Sequence, residues 1–248
     1  DSEQAAFCRM SVFPTSFTQT PALQISGAPL EILASLVDKS LLRLVEGNRY
    51  SLHELLKQYA MENGDAAGEN LDEINQQHAE YYFYMLKGRE QLLIDDNTQI
   101  VLEELEPEWG NIRSAWQWAA SQSKVEWLDR ISAAMFWWCQ RSNRYHEGKL
   151  LFRIAVERLI QVDEEDSLRI AIFSIRLGRF CSQLAEYETA HALFTRNIPL
   201  LRQAHLLQEL AQALDFWGDL ERQRGAYVVA RPILEESVSL YRELKLSA

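Results

Sequence analysis

The sequence predicts a mainly α-helical chain, in which a small helical module with one β-hairpin precedes a series of helical repeats. Glycine (10 residues) and proline (6) are scarce in the 248 residues, and most of them fall between the helical stretches. Apolar residues recur at the three- and four-residue spacing of an amphipathic helix. In the second half of the chain, a pattern of tyrosine, small residue and large apolar residue returns at a steady period.

The composition argues against nucleic acids and membranes as partners. The formal net charge is −11, so phosphate backbones and anionic lipid surfaces repel the chain unless a local basic patch exists. The hydrophobic fraction of 47% is enough for a continuous core. We find no stretch of about 18 apolar residues, so no membrane span is predicted.

Three cysteines, Cys8, Cys139 and Cys181, are too few and too widely spaced for a metal or disulfide pattern. They predict reduced, buried thiols in a cytoplasmic protein. No signal peptide is visible, because the N-terminus lacks a basic head and an apolar run. The chain begins at Asp1 without a methionine, and we therefore expect it to be a fragment of a longer protein.

The first sixty residues predict helices followed by a β-hairpin and a further helix. A short helix is expected before Pro14 and a second near Pro21, and helical spacing then covers residues 31–44. Residues 40–44 could instead begin a strand, since a turn follows at 46–48 and residues 49–52 suit a returning strand. His53 opens the last helix of this module, through residue 61.

This order resembles the winged helix of bacterial STAND-class signalling ATPases and transcriptional regulators (NB-ARC-like and LuxR-type). The segments that carry the resemblance are FCRMSVFPTSF at 7–17, LASLVDKSLL at 33–42 and RYSLHELLKQYA at 49–60. The resemblance implies that the winged helix packs against a nucleotide-binding domain and helps to restrain it. That domain would be a partner in the parent chain, because no GxxxxGKS or GxxxxGKT phosphate loop occurs here.

An alternative is a DNA-binding winged-helix transcription regulator with an oligomerisation arm of repeats. It would need a basic module, and the wing offers Arg43 and Arg49 alone. Residues 1–62 carry these cations and anions: Arg9, Lys39, Arg43, Arg49 and Lys57 against Asp1, Glu3, Glu31, Asp38, Glu46, Glu54 and Glu62. This slightly acidic balance favours the regulatory interpretation.

A connector is predicted between the module and the repeats. The polar segment 63–69 indicates a domain boundary, and an aromatic-rich helix follows at 74–87. Two further segments resemble the STAND regulators: HAEYY at 78–82, and EPEWGNIR at 106–113, which in that family introduces the first repeat helices. We therefore predict a winged-helix-like domain over 1–62, a helical connector over 63–105 and repeats over 106–248.

Tyrosines 145, 187 and 227 begin three similar segments, 187 − 145 = 42 and 227 − 187 = 40 residues apart. A small residue follows each tyrosine after three positions, and a large apolar residue follows after seven. This is the second half of a tetratricopeptide (TPR)-type unit, and Gly178 and Gly218 mark the first half of the second and third units. Phe136 stands in the place of that glycine in the first unit. Pro199 should kink or end its helix.

Stacked repeats of this kind share one core and form a concave groove lined by the first helix of each pair. By TPR register the groove residues are Trp137, Gln140, Arg141, Arg179, Gln183, Asp219, Arg222 and Gln223. Arginine forks suit carboxylates, so the predicted partner is an acidic peptide or a neighbouring protein domain. The same residues are also consistent with a solvated surface held by local ion pairs.

No enzymatic site is predicted. The histidines stand far apart and lack carboxylates or cysteines at metal-ligand spacing: His53, His78, His146, His191 and His205. His53-Glu54 lacks the second histidine of an HExxH zinc motif, and the chain has no GxGxxG or GxSxG sequence. We therefore predict a regulatory and sensor fragment without cofactor, catalytic residue or metal site.

Overall fold

A computed structural model describes residues 2–64, 70–95, 99–162 and 166–245. These residues are mainly helical, with one two-stranded antiparallel sheet among them, so the predicted mainly-α class is confirmed. The chain divides into two compact units, residues 1–122 and 123–248. The boundaries that we predicted near residues 62 and 105 both fall inside the first unit.

The first unit contains eight helices and the hairpin within its described residues. Their bounds are α1 Ser2–Arg9, α2 Gln19–Ser26, α3 Leu30–Asp38, β1 Arg43–Val45, β2 Arg49–Ser51, α4 Glu54–Gly64, α5 Leu71–Lys87, α6 Glu90–Ile94, α7 Gln99–Leu105 and α8 Trp109–Ser121. Short 3-10 turns, Met10–Val12 and Glu106–Glu108, follow α1 and precede α8. Most of the predicted break at 63–69 lies outside the described residues.

The third helix ends at Asp38, and residues 43–45 form a strand, as the second of our two interpretations proposed. Ser40 has a φ of 59°, and the amides of Leu41 and Leu42 both donate to the carbonyl of Leu36. This turn points the chain away from the helix axis. Gly47 and Asn48 then adopt positive φ, which these two residue types tolerate, and they reverse the chain between β1 and β2.

The hairpin is joined to the segment before α2 by a bridge between Phe17 and Tyr50. The amide of Phe17 donates to the carbonyl of Tyr50 at 2.9 Å, and the reverse bond measures 2.7 Å. Phe17 is fully buried and stacks on Phe13 with ring centroids 4.1 Å apart. The hairpin is therefore held by backbone pairing on one side and by an aromatic core beneath it.

The second unit consists of three helical hairpins of the same design in its described residues. Their helices are α9 Val125–Arg141 and α10 Tyr145–Val162, α11 Ser167–Gln183 and α12 Tyr187–Gln203, and α13 Leu207–Gln223 and α14 Tyr227–Glu243. In each hairpin the second helix begins 20 residues after the first, since 145 − 125, 187 − 167 and 227 − 207 are equal. Equivalent residues can therefore be compared directly between hairpins.

The expected end of the helix at Pro199 is wrong, because α12 continues through this residue to Gln203. A proline removes one helical hydrogen bond and crowds the preceding turn. Here its ring lies on the exposed side of the helix, while Ile198 and Leu201 on the other side are buried. Packing of the buried side holds the last turn in place despite the lost bond.

Glycine permits close contact between helices in the second unit, and the contact is tightest at Gly148 and Gly218. A Cβ atom added to Gly148 of α10 would lie 2.5 Å from the ring of Phe180 in α11. One added to Gly218 of α13 would lie 2.5 Å from the side chain of Leu234 in α14. Both contacts were expected from the small residues in the repeat pattern, and they set the distance between neighbouring helices.

The turn inside each hairpin has the same backbone conformation. Its middle residue is Asn143, Ala185 or Gly225, with φ of 57°, 60° and 78°. Asparagine and glycine tolerate this left-handed region, whereas the Cβ of alanine is crowded there. Ala185 is therefore the strained member of the three.

Replacing Ala185 by glycine is expected to stabilise the second unit by about 1 kcal/mol, the cost of placing an ordinary residue in the left-handed region. Urea unfolding followed by circular dichroism measures the change. The matched control is Ala192→Gly on the exposed face of α12, which should cost about 1 kcal/mol through lost helix propensity. Destabilisation by Ala185→Gly as large as that of the control would contradict the interpretation of strain.

Candidate functional site

The predicted groove residues form three aligned rows on the first helices of the hairpins. Counted from the start of each helix, Trp137, Arg179 and Asp219 share one position. Gln140 and Arg222 share a second, and the third holds Arg141, Gln183 and Gln223. The eight residues therefore lie on corresponding faces of α9, α11 and α13.

Three of these residues, Arg179, Arg222 and Gln223, meet at the carboxylate of a fourth, Asp219. Arg179 Nη1 of the preceding hairpin lies 2.7 Å from Asp219 Oδ2, and Arg222 Nη2 lies 2.5 Å from Oδ1. Gln223 Nε2 donates to Oδ2 at 2.8 Å. Burial alone would raise the pKa of Asp219, but the hydrogen bonds from Arg179 and Arg222 outweigh it and lower the pKa.

Asp215, one helical turn before Asp219, adds a second carboxyl group to this cluster. Burial raises its pKa, the charge of Arg179 opposes the rise, and Asp219 adds to it. We did not predict Asp215, although its spacing of four residues from Asp219 places it on the same helix face. The two arginines of the cluster therefore face carboxylates of their own chain.

Aromatic rings fill the space beneath this cluster. The guanidinium of Arg179 lies 5.1 Å from the ring centre of Phe216. Phe136 of α9 lies 5.6 Å from Phe216 and 5.4 Å from Phe180. Because these rings are almost fully buried, α9, α11 and α13 meet over a packed aromatic core at this point.

The remaining predicted groove residues are Trp137, Gln140, Arg141 and Gln183. Arg141 stacks on Trp137 of the same helix at 5.4 Å, which is within the range of a cation–π contact. Gln140 and Gln183 are half-buried at their aligned positions. Arg222 is the most accessible of the three predicted arginines, with 58% of its side chain exposed.

A second polar cluster lies in the first unit, around Arg49 of β2. Its guanidinium pairs with Glu108, and only 11% of the arginine side chain and 9% of the glutamate side chain are exposed. Arg49 also donates from Nε to Ser16 Oγ at 2.9 Å and from Nη2 to the Ser16 carbonyl at 2.6 Å. A buried ion pair in which every guanidinium nitrogen is hydrogen-bonded holds the β-hairpin to the turn before α8.

Asn111 completes this cluster, which we call the Arg49 latch (Ser16, Arg49, Glu108 and Asn111), and Gly110 packs beside it. Asn111 Nδ2 donates at 3.0 Å both to the Ser16 carbonyl and to Glu108 Oε2. Gly110 contacts Thr15 so closely that an added Cβ would lie 2.3 Å from its methyl group. The segment EPEWGNIR thus supplies a carboxylate that binds Arg49 of β2, an amide that binds Ser16, and a glycine that packs closely on Thr15.

Two titratable side chains of α5 are buried beside the latch. Burial lowers the pKa of His78 to about 3, against a smaller opposing contribution from Asn111. Burial and the charge of Glu108 raise the pKa of the Tyr82 hydroxyl above its usual range. His78 contacts Tyr82 with ring centres 4.7 Å apart. Both groups are neutral at pH 7, and this suits packing rather than acid–base chemistry.

His78 should make the first unit less stable in acid. The pKa of His78 is about 3 in the folded chain, whereas an ordinary histidine, as in the unfolded chain, has a pKa of 6.5. Between these two pH values, His78 binds a proton only when the chain is unfolded. The free energy of unfolding therefore falls as the pH drops below about 6.5, by about 1.4 kcal/mol per pH unit from this group.

Urea unfolding of the wild type and of His78→Gln, between about pH 4.5 and 6.5, isolates this contribution. The variant should lose part of the pH slope, whereas His53→Gln, a change at an exposed histidine, should keep it. Equal slopes in the wild type and His78→Gln would contradict the burial of a neutral imidazole.

Among the described residues, no group of three histidine, cysteine or acidic side chains is placed to hold a metal ion. Within the same part of the chain, no helix combines the length and apolarity needed to cross a membrane. Cys8, Cys139 and Cys181 are buried, and burial raises the pKa of the Cys181 thiol to about 11. Comparison of the chain with protein-family models, with curated proteins and with solved structures finds no match.

Proposed function

We propose that this chain is the regulatory and partner-binding part of a signal-transduction ATPase. In this proposal, residues 1–62 are a winged-helix-like module that restrains a nucleotide-binding domain elsewhere in the parent protein. Helices α9 to α14 are TPR-like repeats whose first-helix face binds an acidic protein segment. The chain itself carries no catalytic role.

The observation that carries the proposal is the cluster of Arg179, Asp219, Arg222 and Gln223. It joins consecutive hairpins at aligned positions, and it places two guanidinium groups around one carboxylate. A carboxylate supplied by a partner could replace Asp219 as the acceptor for Arg222, because the side chain of Arg222 is largely exposed. Asp219 would then compete with the partner for the same cation.

The latch supports a regulatory winged helix over one that reads DNA. Arg49 is one of the two wing cations that DNA binding would need, but it is buried against Glu108. Arg43 is left as the exposed cation of the hairpin strands. A groove-binding wing needs several accessible cations to offset a chain of net charge −11.

The test is fluorescence anisotropy with fluorescein-labelled octaglutamate as the acidic probe. Asp219→Asn removes the competing charge and should tighten binding about tenfold, whereas Arg222→Gln should weaken it about tenfold. The matched control is Arg242→Gln, an exposed arginine on α14, which should change little. Binding that responds equally to Arg222→Gln and Arg242→Gln, or no binding even by Asp219→Asn, would reject the acidic partner.

A parallel titration of labelled duplex DNA tests the alternative of a transcription regulator. We expect no binding at low salt. Binding that weakens steeply as salt rises would instead indicate phosphate contacts and would favour the DNA-binding interpretation.

A further inference from the structure

Consecutive hairpins of the second unit are joined by a repeated polar contact. The residue four positions after the first tyrosine of each hairpin's second helix is Lys149, His191 or Arg231. Lys149 of the first hairpin forms an ion pair with Glu186 in the turn of the second. His191 Nδ1 of the second lies 2.7 Å from Glu221 Oε1 near the end of α13 in the third. At each junction a nitrogen side chain meets a glutamate of the next hairpin.

A second contact accompanies the first at the junction between the second and third hairpins. Glu188 follows the tyrosine by one position, and its Oε1 accepts from Arg224 Nη2 at 2.9 Å. Arg224 lies at the turn of the third hairpin and also reaches Glu221. The surface formed by the first turns of a second helix therefore receives the turn of the hairpin that follows it.

In the third hairpin the equivalent surface has a different composition and is exposed. It consists of Tyr227, Val228, Val229 and Arg231, and we call it the end surface. Val228 is 90% exposed and occupies the position of Glu188 and His146. The side chain of Arg231 is 81% exposed, and it pairs at 2.8 Å with Glu235 of its own helix. An exposed pair of this kind is weak and is easily exchanged for another carboxylate.

We propose that the end surface binds a helical hairpin whose turn region presents one acidic residue to Arg231 and one apolar residue to Val228. The acidic residue follows from charge complementarity, because Lys149 and His191 both meet glutamates at this position. The apolar residue follows from Val228, which replaces the polar side chain that binds Arg224 one hairpin earlier. The interaction continues the contact that already joins the three hairpins.

This inference does not depend on the acidic peptide of the first-helix face. The end surface lies on the opposite helix of its hairpin, and none of its residues belongs to the cluster around Asp219. The two proposals can therefore fail independently, since the variants that test one leave the residues of the other unchanged.

The chain itself provides a suitable probe hairpin. Lys245 has a φ of 55°, as does His205 in the turn between α12 and α13. The hydrogen bonds of the two turns also correspond, since Leu244 donates to Leu240 as Ala204 donates to Leu200, each at 3.0 Å. A second copy of residues 206–245 joined directly after Lys245 should therefore be directed onto the end surface.

In the experiment, the appended copy carries Arg224→Leu, so that an apolar residue faces Val228. Hydrogen exchange of residues 227–231 in the original hairpin is then compared with exchange in the unextended chain. Docking should slow this exchange about tenfold or more, because the first turn of α14 becomes covered. Unchanged exchange would overturn the proposal.

Reversing the two charges then tests whether Arg231 pairs with Glu221 of the appended copy. Glu221→Lys in the appended copy should abolish the protection, and adding Arg231→Glu in the original hairpin should restore it. Protection that survives Glu221→Lys would show that apolar contact alone binds the hairpin, and it would overturn the pairing. Sedimentation of the unextended chain provides a further check: a dimer that Arg231→Glu dissociates would assign the end surface to a second copy instead.

Discussion

Glu108→Ala should destabilise the first unit by about 3–5 kcal/mol, which is the usual cost of removing one partner from a buried ion pair. The change leaves the guanidinium of Arg49 buried without its carboxylate, and it removes one acceptor of Asn111. Urea unfolding followed by circular dichroism gives the loss. Hydrogen exchange of β2 and the start of α8 locates it in the latch.

Two comparisons test whether the loss of stability comes from the buried latch rather than from the removal of any charged side chain. Glu104→Ala breaks the ion pair between Glu104 and Arg89, two side chains that are each about one-third to one-half exposed. This change should lower the free energy of unfolding by less than about 1 kcal/mol. The double variant Arg49→Met with Glu108→Leu removes both charges and should recover most of the lost stability. Buried apolar side chains, unlike buried charges, need no opposite charge or hydrogen bond to offset the loss of water. A loss from Glu108→Ala no larger than that from Glu104→Ala would contradict a buried latch.

Phe136→Ala should destabilise the second unit by about 3–5 kcal/mol, as is typical for an aromatic ring removed from a core. Phe136 is almost fully buried and contacts rings from all three hairpins: Phe152, Phe180 and Phe216. Its removal leaves a cavity that the surrounding helices cannot fill without shifting. Thermal and urea unfolding both measure the loss.

The control for Phe136→Ala is Val228→Ala, a truncation of an apolar residue that is almost fully exposed. It should change the free energy of unfolding by less than about 0.5 kcal/mol. Hydrogen exchange should also become faster in α9 and α13 of the Phe136→Ala variant, because the ring of Phe136 joins these two helices. A loss confined to α9 and α10 would show that Phe136 packs only within its own hairpin.

Local patterns in the sequence predicted the elements that depend on neighbouring residues. Gly47 and Asn48 indicated the hairpin because these residues tolerate positive φ, and the three tyrosines fixed where the second helices begin. The small residues of the repeats indicated close helix contacts, as at Gly148 and Gly218. In each case the physical cause lies within a few residues of the signal.

The roles of individual charged residues could not be predicted in the same way. We counted Arg49 as a wing cation, but its partner stands 59 residues later in the sequence. Arg179 was predicted as a groove cation, and its acceptor Asp219 lies 40 residues away on another helix. Pro199 was expected to kink or end α12, yet the helix continues through it, and its neighbours Ile198 and Leu201 are buried. Periodicity gives no information about which distant side chains meet in the fold.

The length of chain enclosed by the latch also affects how the two units acquire their structure. Asn111 and Ser16 are 95 residues apart, so the Arg49 latch cannot complete its polar contacts until residue 111 is present. In the second unit, Lys149 and Glu186 are 37 residues apart, and each hairpin forms by local contacts. Loop closure over longer separations slows folding, so the first unit should be the slower of the two to fold, although it is synthesised first.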